Sequence, residues 1–222
     1  MLARSHLEAI AGALVAAALG VACASSEKAT EVTHDGLQLV PGSSLQRAYV
    51  KPGASFSQYK RVALLDCYVA FERNWRMDHP DVRTRDMENI KKGLAAEFRK
   101  VFSEELEKGG YPIASEPAED VLLIRPAIID LDVAAPDLMT AGRSESFTTS
   151  AGAMTLYAEL YDSVSGEILA RAMDRRQDSG APGRGLSWTT RGSNLDAARD
   201  ILRRWADVLV RRLDEIHGKN AG

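Results

Sequence analysis

Cys67, Asp66, Asp130 and Asp132 are the residues of this chain whose types and spacing could do chemistry. A thiol attacks as thiolate, which needs a nearby base, a cation or a helix N-terminus. Cys67 has Asp66 beside it instead, inside an apolar run, and a neighbouring negative charge disfavours the thiolate. It reads as a buried, inert thiol. Asp130 and Asp132 stand at i,i+2 on an extended stretch, which points both to one face of a strand, and Asp66 could lie on an adjacent strand. Paired carboxylates held close do acid/base work, so a hydrolase is one function class. Their alternation with Ile129, Leu131 and Val133 is also that of a half-exposed strand carrying solvated acids, the preferred reading.

Other chemistry has less support. The cysteines are Cys23 and Cys67, with no Cys-x-x-Cys or Cys/His ligand spacing, and His6, His34, His79 and His217 are scattered. No metal and no cofactor is expected. The Gly-x-Ser-x-Gly elbow and the phosphate-binding glycine patterns are missing, and Gly180 to Gly185 (GAPGRG) reads as a loop. A net charge of -3 gives no basic face for phosphates, so nucleic acid is not an expected partner.

Cys23 is different, because chemistry would be done to it. Ala9 to Ala22 is apolar or small throughout and uncharged, too short for the roughly 30 Å hydrocarbon core but suited to a signal peptide. Arg4 supplies the positive n-region, weakened by Glu8. The sequence Leu19-Gly20-Val21-Ala22-Cys23 resembles a lipobox, with leucine one place further out than usual. This implies cleavage before Cys23 and acylation of its thiol; an ordinary secretory peptide cleaved near Ala22 or Ala24 is the alternative. Ala24, not aspartate, follows the cysteine, which by resemblance to sorted lipoproteins implies the periplasmic face of the outer membrane. Residues 1–22 then form the signal peptide and 23–46 a lipidated tether, a coil reaching about 25 Å. Residues 47–217 form one α/β domain and 218–222 a tail.

The elements of that domain follow from periodicity. Arg61 to Phe71 is apolar at both parities and predicts one strand covered on both faces; Ala48 to Val50 adds a short edge strand. Thr84 reads as an N-cap with Asp86 and Glu88 behind it. Met87, Ile90, Leu94, Phe98, Val101 and Leu106 then predict an amphipathic helix ended by Gly109-Gly110. Tyr111 to Ala114 is a short strand and Val121 to Val133 a long one. Its apolar parity switches between Ile124 and Ile129, which predicts a β-bulge, placed at Arg125-Pro126. Met154 to Asp174 is a hairpin turning at Asp162 to Gly166. A second helix starts at Ser193 or Asn194, with Leu195, Ala198, Ile201, Leu202, Trp205, Val208, Leu209 and Leu213 on its apolar face. Asp200 with Arg204 and Asp207 with Arg211 are its expected i,i+4 pairs. The fold class is α/β in the α+β sense: a mixed, largely antiparallel sheet of about four to six strands, with two helices on one face.

Two runs, residues 36–71 (GLQLVPGSSLQRAYVKPGASFSQYKRVALLDCYVAF) and 135–176 (APDLMTAGRSESFTTSAGAMTLYAELYDSVSGEILARAMDRR), resemble the bacterial lipoprotein family known as domain of unknown function 3313. The resemblance extends from about Gly36 to the last helix; where members often carry proline after the strand aspartate, this chain has Cys67. It implies an envelope compartment and a single domain, and no activity. More loosely, the element order is similar to the small α/β domains of other envelope lipoproteins, an analogy of fold only.

The expected function is therefore a non-enzymatic interaction or scaffold module of the cell envelope. An oligomeric envelope or secretion component and a carboxylate-dependent hydrolase are the other classes. Candidate partner contacts are Met139, Arg143 and Phe147, in the polar excursion from Ala135 to Gly152, and Trp75 in the loop after the first long strand. The partner would be an envelope protein or a peptidoglycan-associated component. For the excursion and for Trp75, a mobile loop and a tryptophan tucked over a sheet edge are the competing readings.

Overall fold

Strand β5 (Val121–Val133) is the axis of the structure, because every layer is built against it. The computed structural model describes residues 31–133, 147–148, 152–177, 187–188 and 191–219. Before β5 come β1 (Gln38–Leu39), β2 (Arg47–Val50), β3 (Arg61–Leu64), β4 (Tyr68–Phe71), α1 (Trp75–Asp78) and α2 (Thr84–Lys108). After it come β6 (Phe147–Thr148), β7 (Gly152–Asp162), β8 (Ile168–Gln177), β9 (Ser187–Trp188) and α3 (Arg191–Ile216). The main sheet runs β1-β2-β8-β7-β5-β3, with β4 following β3 along the same side of β5. Only β3 and β4 pair with β5 in parallel; the other neighbours are antiparallel. Strands β6 and β9 form a separate pair.

The class is as expected, a mixed and mostly antiparallel sheet with the two long helices on one face. Seven strands exceed the expected number for two physical reasons. The first is β1, inside the stretch read as tether: Leu37 is fully buried and Gln38–Leu39 pairs with β2. The second is that Arg61 to Phe71 is not one strand. Leu65 N–H donates to Ile124 C=O, so the even residues of β5 turn their backbone groups toward β3 and β4. Pro126 has no N–H to offer on that side, and it lies between the Ile124 and Ala127 positions where β3 ends and β4 begins. Nor is the run covered on both faces, since Tyr68 is 65% exposed.

The bulge exists, but not at Pro126. Pairing with β7 is uninterrupted from Leu122 to Ile129, and the register shifts between Ile129 and Asp132. Asp130 takes φ +49, a left-handed conformation that aspartate tolerates better than a branched residue. Beyond the bulge Gly152, at φ +141, lies opposite Val133, and a Cβ on it would collide with the Asp132 carbonyl oxygen.

Leu94, Phe98, Val101, Phe102 and Leu106 of α2 pack with Ile201, Leu202, Trp205 and Leu213 of α3 over Leu122, Ile124, Ile128, Leu156 and Ala158. Thr84 is the first helical residue of α2 and not its cap; Arg83 holds that place with no side-chain cap bond. Gly109 caps the C-terminal end, and Gly110 follows at φ +82. A Cβ on Gly109 would sit 2.7 Å from Val210 Cγ1, so the glycine also lets α3 approach. Tyr111 to Ala114 reduces to one parallel bridge between Ile113 and Val62. Helix α3 begins at Arg191, earlier than Ser193. Its described intrahelical ion pairs are i,i+3, Asp196 with Arg199, Asp200 with Arg203 and Arg212 with Glu215, in place of the expected i,i+4 pairs. No described helix is long and apolar enough to cross a membrane.

Candidate functional site

The face of the sheet away from α2 and α3 carries the densest polar cluster among the described residues, built by strand alternation alone. Tyr157, Glu159 and Tyr161 are at i,i+2 spacing on β7 and share that face. The register sets Glu159 between Arg125 on β5 and Arg171 on β8, and Arg171 opposite Tyr49 on β2. Both arginines pair with the Glu159 carboxylate, Arg171 at 3.0 Å. The Tyr157 hydroxyl donates to Oε1 at 2.8 Å and the Tyr161 hydroxyl to Oε2 at 2.7 Å. Arg125 lies over the Tyr161 ring and Arg171 over the Tyr157 ring, 5.4 and 5.9 Å from the centroids.

Glu159 is only 3% exposed. Burial alone would push its carboxyl up, but the hydrogen bonds from Tyr161, Tyr157, Arg125 and Arg171 outweigh that and hold it down to about 2. A carboxylate so weakly basic and so fully donated to is a poor proton acceptor near neutral pH. What the arrangement does is fasten strands. It continues toward the N-terminus, where Arg171 also binds Asp35 at 2.6 Å, and Glu31 accepts from Arg47 at 2.8 Å and from the Tyr49 hydroxyl at 2.7 Å.

A second polar group lies on the helix side. Asp174 of β8 is 4% exposed and accepts from Trp205 Nε1 at 2.8 Å, Gln46 N–H at 3.0 Å and Arg176 Nε at 2.6 Å. At the turn end of the β7–β8 hairpin, a shallow cavity of about 550 Å³ is lined in part by Lys51, Ser55, Gln58, Tyr59, Asp162 and Glu167. Its charged groups are already engaged: Lys51 pairs with Glu167, and Asp162 accepts from Tyr59 and from the turn at Val164 and Ser165.

The acids that a hydrolase would need to converge are not brought together by the backbone in the way i,i+2 spacing implies. The side chain of Asp66 is 97% exposed and pairs with Arg99 of α2 at 2.7 Å. Asp130 lies inside the register shift, at φ +49, and Asp132 resumes the pairing after it, so the rule that put them on one face does not apply. None of the three lines the cavity. Cys67 is 8% exposed, and burial pushes its thiol up to about 12, against a smaller opposing pull from the Ile128 backbone. Asp66 is not the cause, because its side chain turns to Arg99. Among the described residues no three His, Cys, Asp or Glu side chains gather as metal ligands.

Trp75 is not an exposed aromatic. It is 3% exposed, stacked on Phe71 at 4.3 Å and under His79 at 4.1 Å between ring centroids. Cys23, Met139 and Arg143 lie outside the described residues, as does the loop from 180 to 185. The backbone of Phe147 pairs with that of Trp188. Tyr157, Glu159 and Tyr161 alternate with Leu156, Ala158 and Leu160, a pattern that by itself marks only a half-buried strand. The signal available was Tyr-x-Glu-x-Tyr facing Arg171 across a hairpin, a carboxylate flanked by donors.

The family profile described as "Protein of unknown function (DUF3313)" matches residues 28–209. The chain belongs to the DUF3313 family. The match spans the main sheet, all of α2, and α3 as far as residue 209. No curated protein matches this chain. Solved structures overlap it at low identity. The PelC dodecamer from Paraburkholderia phytofirmans is 14% identical with a TM-score of 0.39, covering 72% of this chain and 96% of that one. Hypothetical protein CT253 from Chlamydia trachomatis is 13% identical with a TM-score of 0.38, covering 72% and 98%. A DUF4136 family protein from Bacteroides thetaiotaomicron is 12% identical with a TM-score of 0.32, covering 73% and 95%. At that level of overlap none of them bears on what the DUF3313 domain does.

Proposed function

We propose that this DUF3313 domain is a lipid-anchored, non-enzymatic interaction module of the bacterial cell envelope, held at the periplasmic face of the outer membrane. One observation carries the reading: the uncharged run Ala9 to Ala22 ends at Cys23, and the sheet takes up the chain a few residues later, at Val32. Acyl chains contribute about 0.8 kcal/mol per buried CH₂, so a multiply acylated Cys23 holds the domain durably at a bilayer. Glu159 and Asp162 are taken up by partners within the fold, which supports a structural rather than an acid/base role for these two carboxylates. Met139, Arg143 and Phe147 are proposed contacts for an envelope protein or a peptidoglycan-associated partner.

The test is metabolic labelling with an alkynyl palmitate analogue, followed by fractionation of wild type and Cys23→Ala. Label and membrane association should both be present in wild type and both lost in the variant. An unlabelled wild-type protein that washes off membranes with salt would end the proposal. Crosslinking in intact envelopes, with Met139, Arg143 and Phe147 replaced together by alanine, tests the contacts; recovery equal to wild type would remove them.

A further inference from the structure

The sheet has two edges, and the chain treats them differently. Outside β1 the chain folds back on itself: Val32 bridges Gln38, and Leu39 N–H donates to Glu31 C=O at 2.9 Å. On the other side β3 is covered by the segment after α2, where Val62 N–H donates to Pro112 C=O at 3.0 Å and Ala114 N–H to Val62 C=O at 2.8 Å. Among the described residues, strand β4 pairs with β5 alone. Glu72 N–H reaches Leu131 C=O, so the even residues of β4 turn their backbone groups inward, and Val69 and Phe71 turn theirs outward. No proline, lysine or bulge of its own blunts Tyr68–Phe71, the usual protections of a free edge. Tyr68 and Leu65 at this edge are 65% and 42% exposed.

We propose that β4 pairs antiparallel with β4 of a second copy of this chain, making one sheet continuous through two molecules. The inference rests on the tethered reading above: the tether joins the domain at the opposite edge, leaving β4 free to meet β4 of a copy held at the same height on the same membrane. The alternation limits how two identical strands can meet, because outward residues must face outward residues. One register pairs both outward residues of one copy with both of the other. It sets Val69 opposite Phe71 twice, each pair exchanging both backbone hydrogen bonds, with Ala70 facing Ala70 on the two-fold axis. The same register sets the exposed Tyr68 of each copy opposite the exposed Glu72 of the other, a donor facing a carboxylate on both sides of the axis. A foreign strand could take the same backbone groups, but this edge is complementary to itself.

The dyad supplies the experiment. Facing residues of a non-hydrogen-bonded pair lie about 4.5 Å apart at Cα, within the span a disulfide bridges. Full-length Ala70→Cys in native membranes, treated with a mild oxidant, should give a covalent homodimer. Val164→Cys, exposed on the β7–β8 turn, should not. In sedimentation of the domain without its lipid, Tyr68→Glu should weaken self-association about tenfold through two like-charge pairs with Glu72, while Tyr68→Lys should hold or tighten it. No Ala70→Cys homodimer, an adduct to a different protein instead, or equal losses in Tyr68→Glu and Tyr68→Lys would each overturn the pairing. The two proposals fail separately. A homodimer without palmitate label sinks only the anchor, and label without a homodimer sinks only the pairing.

Discussion

The indole Nε1 of Trp205 donates to Oδ2 of Asp174 at 2.8 Å, joining α3 to β8 through the core. The same carboxylate accepts from the backbone of Gln46, just before β2, so one buried anion orders a helix and two strands. Replacing Asp174 by alanine leaves buried donors unpaired and the Arg176 charge uncompensated, at a cost of about 2–4 kcal/mol. Trp205→Phe should cost less, since the carboxylate keeps two donors. The double variant should be destabilised by less than the sum, because both changes remove one shared contact. Urea unfolding of the three variants checks this.

Glu159 gives a pH dependence with a definite sign. Its folded-state value of about 2 lies below the ordinary 4.5, so its contribution is complete above pH 4.5 and is lost as pH falls toward 2. The loss should amount to roughly 2–3 kcal/mol. Glu159→Gln should be less stable than wild type at pH 7 and show a shallower decline in melting temperature across that window. Some slope will persist, because Arg171 holds Asp35 well below its usual range too. Equal slopes in the two proteins would count against the network.

The bulge makes a demand on Gly152. Alanine there meets the Asp132 carbonyl at a backbone angle, φ +141, that side chains rarely adopt. Neither can move without disturbing the β5–β7 ladder, and a loss of about 2–3 kcal/mol is expected. Gly109→Ala meets only the Val210 side chain, which can rotate, so it should cost less. Comparing the two midpoints in denaturant decides between a rigid and a yielding neighbour.

The Cys67 thiol, pushed up to about 12 and 8% exposed, should resist a thiol reagent at pH 8.5 in the native protein and react fully in urea. Rapid labelling of the folded protein in the Cys23→Ala background would show that the β3–β4 break opens to solvent.

Much of this architecture was legible because it is written in periodicity. The apolar stripes of α2 and α3, the hairpin at Asp162 to Gly166 and the parity switch in β5 all follow from side-chain spacing. The location of the switch did not, because proline is disruptive only where its missing N–H is needed. Pro126 faces the gap between β3 and β4, and Asp130 absorbs the extra residue. Trp75 shows a second limit: its burial comes from Phe71 and His79, partners set by how α1 folds back. Glu159 shows a third, since pairing across three strands is a matter of register, which no single segment encodes.

The hairpin from Val32 to Val40 sets how this molecule responds to force. The short β1 ladder, the burial of Leu37 and the contacts of Glu31 and Asp35 tie it to the sheet, and among the described residues it is the first element met by tension arriving from the N-terminal side. Peeled one residue at a time rather than sheared, it would yield well before β7 or β8. Release of residues 32–40 would lengthen the leash by roughly 30 Å and leave the helices and long strands unloaded.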